Sequence, residues 1–176
     1  MEILIIGGII VIIMVIVSTK IKKSAAAAFE PETIEMEDFS IEKPAGFLHP
    51  LRDEPDFPFE AYSKLYGDKY TRNIWRARTR LRVFENENLK DFVSRIKSSS
   101  ESVESTKELN DLPENQKGVI LRSSKTEDEI DYKILRKIVV LDSNRKIYEL
   151  KTTILEPYGE EYTDTACEMM RGFVVK

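Results

Sequence analysis

The stretch from residue 73 to residue 84, NIWRARTRLRVF, alternates between two kinds of side chain. One parity carries apolar or small residues: Trp75, Ala77, Thr79, Leu81 and Val83. The other parity carries arginines, which Arg72 extends in register, and we call this row the arginine ladder: Arg72, Arg76, Arg78, Arg80 and Arg82. Because successive side chains of a β-strand point to opposite faces of a sheet, the stretch predicts a strand with Trp75 on its core side and the ladder on the other.

An amphipathic helix is predicted directly after this strand, within residues 85–97, ENENLKDFVSRIK. Four apolar residues recur there at the spacing of one helix face: Leu89, Phe92, Val93 and Ile96. Asn88 is the expected N-cap, with Asp91 at the third helical position. The polar, serine-rich run that follows, residues 98–108, predicts a loop.

The second half of the chain predicts three more strands and a helix. The strands cover about residues 118–124, 131–141 and 146–155. The connection between the last two, DSNR, is short, so these strands are expected to form an antiparallel hairpin. A helix is predicted from about Glu160 to Arg171, capped by Gly172, because four residues form an apolar stripe: Tyr162, Ala166, Met169 and Met170.

The pattern before the ladder is less regular. Residues 39–47, FSIEKPAGF, predict a short strand ended by a turn at Pro44-Ala45-Gly46. A proline-rich irregular loop is expected to follow, and residues 59–66, FEAYSKLY, predict a short helix stopped by Gly67. The elements together predict an α+β fold in which helices pack against an antiparallel β-sheet.

The first residues of the chain have a different character. Residues 3–17, ILIIGGIIVIIMVIV, contain no polar side chain, and Lys20, Lys22 and Lys23 follow them. A helix extended to Ile21 would span roughly 28 Å at about 1.5 Å per residue, close to the thickness of a bilayer core. The segment therefore predicts a single transmembrane helix. A cleaved signal peptide, for which residues 25–28 offer small side chains, and a buried core helix are the alternatives.

These signals divide the chain into a transmembrane anchor (residues 1–23), a Glu-rich linker (residues 24–38) and a globular domain (residues 39–176). Positive charges near a membrane helix favour the cytoplasmic side, so the lysines after the apolar run favour a cytoplasmic domain. The protein is thus expected to be a single-pass membrane protein.

Composition limits the functions that the domain can have. With 41% hydrophobic residues the chain can bury a core, so it is not wholly disordered. A net charge of -4 gives no general reason to expect nucleic acid as a partner. Cys167 is the only cysteine, which excludes an intrachain disulfide and a zinc site of the CxxC kind.

Three stretches of the domain resemble the PsbP/DcrB-like superfamily. Residues 39–47 resemble the opening strand and Pro-x-Gly turn, with Phe47 where tryptophan is more usual. Residues 83–93, VFENENLKDFV, resemble the family's strand, loop and "leucine, acidic, phenylalanine" helix. Residues 146–175 resemble its closing strand, helix and final strand, although residues 171–174 read RGFV in place of the usual Ser-Phe. Between them, residues 48–66 are longer than the family pattern.

The resemblance implies an α/β/α sandwich with an antiparallel sheet. It also implies an accessory protein that binds larger assemblies, because members of the family are mostly of that kind and share no catalytic residue. Many relatives are exported, so the resemblance favours the opposite side of the membrane from the one that the lysines favour. Both sides stay open at this point.

The arginine ladder is the most unusual candidate site. Alternate side chains of a strand lie about 7 Å apart on one face, and guanidinium groups that close repel one another unless anions neutralise them. The ladder can therefore be a docking surface for an acidic protein patch or for lipid headgroups. Alternatively, it is a solvated strand face that is paired with acidic residues of neighbouring elements.

Two other residues are candidate sites. His49 is followed by three acidic residues that could complete a metal site, Asp53, Glu54 and Asp56, but a lone histidine is more often an ordinary surface residue. Cys167 lies beside the apolar stripe of the last predicted helix, which favours packing over nucleophilic chemistry. The sequence thus predicts no catalytic residue, no metal site and no cofactor.

The resulting prediction is a non-catalytic, membrane-anchored accessory or scaffold subunit. Its partners are expected to be the membrane and the subunits of a larger membrane protein complex, and nucleic acid is not among them. The alternative is a membrane-tethered module that binds a small ligand or a lipid.

Overall fold

The structure is a computed structural model that describes residues 13–20, 22, 26–50, 55–66, 74–141 and 145–176. Two antiparallel sheets and two α-helices make up the globular part. The strands are β1 Glu32–Glu35, β2 Phe39–Lys43, β3 Phe59–Tyr62, β4 Ala77–Phe84, β5 Ser102–Glu108, β6 Gln116–Glu127, β7 Ile130–Leu141, β8 Lys146–Leu155 and β9 Val174–Val175. The helices are α1 Leu89–Lys97 and α2 Gly159–Arg171. This arrangement confirms the predicted α+β class with an antiparallel sheet.

The larger sheet has six strands in the order β3-β4-β8-β7-β6-β5. The hairpin predicted between β7 and β8 is present, with Leu141 opposite Lys146 at its closed end. The ladder strand β4 pairs along all of its eight residues with β8, which lies far away in sequence. This long-range pairing brings the ladder beside the side chains of the central hairpin.

One face of this sheet is closed by α2 and the smaller sheet, β1-β2-β9. The predicted apolar stripe of α2 is buried, and its Met169 packs in one cluster with Leu81 and Leu150 of the large sheet. Phe47 is fully buried and meets the ring of Tyr162 edge to face, with the ring centroids 5.9 Å apart. We call this side the closed face.

The opposite face is only partly covered by α1. Phe92 and Ile96 of the helix pack on Leu121, Ile138 and other apolar residues of the central strands. The helix begins as predicted, because Oδ1 of Asn88 accepts a hydrogen bond of 2.9 Å from the backbone N–H of Asp91. The remainder of this side carries the charged residues described below, and we call it the open face.

Two elements of the predicted globular domain differ from the sequence prediction. Residues 59–62 of the predicted short helix form strand β3, in which Phe59 and Ala61 are fully buried. Their pairing with β4 overrides the local helical pattern. The predicted polar loop contains strand β5, whose side chains are mostly exposed. Because β5 is an edge strand held by backbone bonds to β6, its sequence needs no apolar alternation. The predicted stop at Gly67 lies outside the described residues.

The predicted linker, residues 24–38, is partly folded. Its residues 32–35 are strand β1, which pairs antiparallel with β2. Phe29 is held as well, since its carbonyl oxygen accepts a hydrogen bond of 2.9 Å from the N–H of Gly46. The reason is tertiary pairing that a Glu-rich sequence does not signal. Residues 29–35 thus belong to the packed part of the molecule.

A buried lysine strengthens this attachment. Nζ of Lys43 is almost completely buried and donates to the carbonyl oxygens of Glu30 and Phe47, the latter at 2.9 Å. Burial lowers the pKa of Lys43, and the carboxylates of Glu32 and Glu30 oppose that shift. Lys43 therefore ties the segment that precedes β1 to the turn after β2.

The anchor predicted over residues 1–23 is described only for residues 13–20 and 22, which are helical. Residues 1–12 lie outside the described residues. In the part of the chain that the structure describes, no helix combines the length and the apolar character needed to span a membrane.

Candidate functional site

The core of the ladder lies on the open face of the large sheet. Ala77, Thr79 and Leu81 of β4 are fully buried on the closed side, as the alternation predicts. Arg78 and Arg80 are about one-third exposed, with side-chain exposures of 32% and 29%. The structure thus brings three predicted ladder residues together on one strand face: Arg78, Arg80 and Arg82.

The other two predicted members are Arg72 and Arg76. Arg72 lies outside the described residues. The guanidinium carbon of Arg76 lies 4.5 Å from the ring centroid of Tyr158, which packs against the closed-face cluster. The chain bends at Arg76, before β4 begins, and the bend breaks the strict alternation that the sequence prediction assumed. The placement of Arg76 in the ladder was therefore wrong.

The same bend changes the role of Trp75. The indole was predicted to point into the core, but it is only half-buried and lines the open face beside Arg78. It stacks on Tyr62, with 3.9 Å between the ring centroids. Trp75 is thus a half-buried aromatic side chain next to the arginines rather than a core residue.

Two of the arginines share one buried carboxylate. Glu60 of β3 stands directly opposite Arg80 in the sheet. Its Oε1 accepts hydrogen bonds of 2.6 Å from Nε of Arg78 and of 3.0 Å from Nε of Arg80. Burial raises the pKa of Glu60, but the hydrogen bonds from Arg80 and Arg78 outweigh it, so the pKa lies below its usual value. Glu60 is therefore ionised and neutralises part of the ladder.

Arg82 is held differently. Its guanidinium carbon lies 5.4 Å from the ring centroid of Phe57, and that of Arg80 lies 4.7 Å from the same ring. Arg82 forms no ion pair within 4.0 Å with any carboxylate among the described residues. One aromatic ring thus contacts two neighbouring guanidinium groups. Of these two, only Arg80 also forms an ion pair within the described part of the chain.

Positive charge also runs across the sheet. Arg80 of β4 is directly opposite Lys151 of β8, and Lys151 is directly opposite Arg136 of β7. Cross-strand neighbours have Cβ atoms about 5 Å apart, so three adjacent cations repel one another unless acids intervene. Burial and the charge of Arg136 lower the pKa of Lys151, while Glu101 and Glu149 act in the opposite direction. We call Arg80, Lys151 and Arg136 the cation row.

The inner end of the cation row is neutralised by a buried ion network. Arg136 is 3% exposed and binds Glu101 through Nη2 at 2.6 Å and Glu149 through Nε at 2.8 Å. Glu101 also accepts from Ser123 at 3.0 Å and lies 3.3 Å from Nζ of Lys151. Burial raises the pKa of Glu101, but Arg136 and Lys151 outweigh this effect and lower the pKa to about 2. A carboxylate from the segment between α1 and β5 thus covers the buried cation.

The outer end of the row opens into a cleft of about 300 Å³. Its basic lining consists of Arg78, Arg80, Arg82, Lys125 and Lys151. The rest of the lining is largely apolar and aromatic and includes Ile74, Trp75, Tyr132 and Ile134. We call this space the basic cleft. It can bind an anionic group, because guanidinium and ammonium groups converge on it from three strands.

Burial and like charge both act against the cleft's own cations. Burial lowers the pKa of Arg80, and the charges of Arg78 and Arg82 lower it further, against the opposing effect of Glu60. An anion in the cleft would relieve this repulsion.

The remaining candidates have structural contacts. Nδ1 of His49 donates to the carbonyl oxygen of Glu60 at 2.7 Å, and its ring stacks on Phe59. Asp53 and Glu54 lie outside the described residues, and within the described ranges no three His, Cys, Asp or Glu residues are grouped as metal ligands. Cys167 is half-buried and packs against the closed-face cluster.

Several site residues were missed by sequence reasoning. Lys125, Tyr132 and Lys151 reach the cleft from the β6–β7–β8 meander, and only its register with β4 places them there. Glu60 was missed because β3 had been predicted as a helix. The one usable signal was the parity of β8, where Glu149 and Lys151 alternate with apolar residues.

The fold is of the PsbP-like class, as the resemblance implied. The solution structure of the cyanobacterial PsbP protein CyanoP from Synechocystis sp. PCC 6803 is similar, with a TM-score of 0.55, 9% identity, and coverage of 84% of this chain and 94% of that chain. LpqN of Mycobacterium tuberculosis, a protein involved in cell envelope biogenesis, is similar with a TM-score of 0.57, 11% identity, and coverage of 84% and 91%. No family model and no curated protein sequence matches the chain. At these identities the likeness concerns the fold alone.

Proposed function

We propose that this protein is a non-catalytic, membrane-anchored accessory subunit that binds and stabilises a larger membrane protein complex. The observation that carries the proposal is the basic cleft, which offers an excess of positive charge on an otherwise acidic protein. Such local charge favours an acidic group on a partner and speeds the encounter with it. Arg82 contributes most, because Arg78 and Arg80 already share Glu60.

The membrane part of the proposal rests on the sequence of residues 3–17 and on the lysines that follow it. The attachment of residues 29–35 to the domain supports the same part of the proposal. It leaves only residues 24–28 between the lysines and the attached segment. The partner surface is thus expected close to the headgroups. The lysines favour the cytoplasmic side, and protease protection of sealed membrane vesicles tests this orientation.

The absence of catalysis is part of the proposal. Acid–base or nucleophilic chemistry needs groups that converge on one point. The two residues with the most suitable chemistry, His49 and Cys167, are engaged in different contacts, a backbone hydrogen bond and apolar packing.

The second candidate is a tethered module for a small ligand or a lipid. The observation that favours it is the shape of the site, because the arginines line a concave space rather than a protruding surface. Pockets for small molecules combine apolar walls with a few convergent polar groups, as this cleft does.

Affinity purification of the tagged full-length protein from its own membranes in mild detergent tests the first candidate. Wild type is expected to retain partner subunits, and Arg82→Gln is expected to lose them, more completely as salt rises. Arg122→Gln is the matched control, since Arg122 is an exposed arginine of β6 outside the cleft. Equal recovery of the same subunits with both variants would contradict the use of the cleft.

A further inference from the structure

The basic cleft is lined by two chemically different groups of side chains. One group is cationic and includes the arginines of β4 and Lys151. The other is aromatic or apolar and includes Trp75, Tyr132 and Ile134. Electrostatic attraction alone does not require the second group, whereas aromatic side chains in a pocket bind apolar parts of a ligand.

The cationic side chains of the cleft are held in position by other residues of the protein. Nε of Arg80 donates to Glu60 at 3.0 Å, and the guanidinium carbon lies 4.7 Å from the ring centroid of Phe57. The bond through Nε does not use the other two nitrogens of the guanidinium group. Arg82 leans on the same phenyl ring. Groups that are already held lose little conformational freedom on binding, which favours affinity.

Charge and size narrow the class of ligand. The described residues that line the cleft include five cationic side chains and one carboxylate, Glu127, which pairs with Lys125 at 2.9 Å. A volume of about 300 Å³ is at the lower end of the range for small-molecule sites. It accommodates a charged group with one ring or a short chain.

We propose that the basic cleft binds a small organic anion in which a carboxylate or phosphate group is joined to an apolar, preferably planar, portion. The anionic group lies between Arg80, Arg82 and Lys151, and the apolar portion packs on Trp75 and Tyr132. The inference rests on the proposed role of the cleft as a binding site, but it needs no protein partner. The ligand can be a soluble metabolite or the head of a single-chain anionic lipid.

The test is isothermal titration calorimetry of the full-length protein in a neutral detergent, which measures the dissociation constant of each probe. The soluble probes are benzoate, phenyl phosphate, acetate and inorganic phosphate, and the lipid probes are lysophosphatidic acid and lysophosphatidylcholine. We expect each aromatic anion to bind at least tenfold more tightly than the matching anion without a ring. Arg82→Gln should weaken binding of the aromatic anions at least tenfold, and Trp75→Ala should remove the advantage of the ring. Arg122→Gln should change neither.

The outcomes separate this inference from the proposed function. Tight binding of lysophosphatidic acid alone, lost in Arg82→Gln, supports the inference with a lipid source. Equal, weak binding of all anions in wild type and Arg82→Gln overturns it, and partner subunits that are still lost from Arg82→Gln would then show that the cleft serves a protein. If ring-dependent binding is seen and is weakened in Arg82→Gln, but Arg82→Gln retains every partner, the inference holds and the docking role of the cleft fails.

Discussion

The two faces of the six-stranded sheet are built from the same strands but carry different side chains, mainly apolar on the closed face and charged on much of the open face. The closed face buries Leu81, Leu150 and Met169 under α2 in one apolar cluster. The open face, away from α1, gathers arginines, lysines and glutamates that must be matched one by one. Burial of apolar surface stabilises a fold without specifying partners, whereas buried charges cost desolvation and need opposite charges beside them. The closed face therefore contributes stability, and the recognition role that we propose falls on the outer part of the open face.

The open face is itself divided. Arg136 itself is buried and pairs with both Glu101 and Glu149. Around Arg82 the charge is accessible and forms no ion pair among the described residues. The cation row joins these regions through Lys151, so the inner network holds one side chain of the outer cleft in place. Variants of the closed face, of the inner network and of the ladder should therefore differ by several kcal/mol in their free energy of unfolding.

The largest loss is expected on the closed face. Phe47→Ala should lower the free energy of unfolding by about 3–5 kcal/mol, because it removes a fully buried ring and leaves a cavity beside Tyr162. Chemical denaturation of the full-length protein measures the change. Val174→Ala is the control and should cost less than about 1 kcal/mol, since Val174 is exposed. A loss below about 1 kcal/mol for Phe47→Ala would mean that the closed face is not a tightly packed core.

The inner network should give the next largest effect, with a characteristic pH dependence. Glu101→Gln should cost about 3 kcal/mol at neutral pH, because it leaves Arg136 buried beside an uncharged amide. Since the folded pKa of Glu101, about 2, lies below its ordinary value of 4.5, its contribution is fully present above pH 4.5 and is lost as pH falls towards 2. The difference between wild type and Glu101→Gln should therefore shrink over that range.

Glu87→Gln provides the matched control for this experiment. Glu87 pairs with Arg95 on the exposed side of α1, at 2.8 Å, and such surface pairs contribute about 0–1 kcal/mol. A pH-independent loss in Glu101→Gln would contradict the ionic account of the network.

The smallest effects on stability are expected in the ladder, where the two kinds of arginine should differ. Arg78→Gln combined with Arg80→Gln should cost about 2 kcal/mol, because Glu60 is buried and would lose its charged donors. Arg82→Gln should cost less than about 1 kcal/mol. Thermal denaturation at neutral pH compares them. Equal losses would show that Arg82 is also a structural residue.

The success of sequence reasoning follows the same division of the molecule. Local apolar patterns identified β4, α1, the β7–β8 hairpin and α2, because each of them buries a regular stripe. Strands β1 and β5 were missed, since edge strands are held mainly by backbone bonds and can be polar. Strand β3 was missed because a four-residue stretch is too short for its period to be resolved.

The candidate site was predicted only in part for a physical reason. Three ladder arginines could be placed on one face from parity alone. The residues that complete the cleft come from strands up to about seventy residues further along the chain. Their position depends on the register of β4 with β8, the same register that pairs Thr79 with Thr152 on the closed side. The bend at Arg76 exchanged the expected roles of Arg76 and Trp75, and no local pattern announces it.

Crystals of the full-length protein soaked with 4-bromobenzoate test most directly whether the open face is the recognition face. Bromine gives an anomalous signal that locates the ring, and the electron density of the carboxylate gives its direction. The account predicts one occupied position in the basic cleft, with the carboxylate between Arg80, Arg82 and Lys151 and the bromine-bearing ring against Trp75. Bromine found only in the groove beside α1 or within the closed face, with an empty basic cleft, would contradict it.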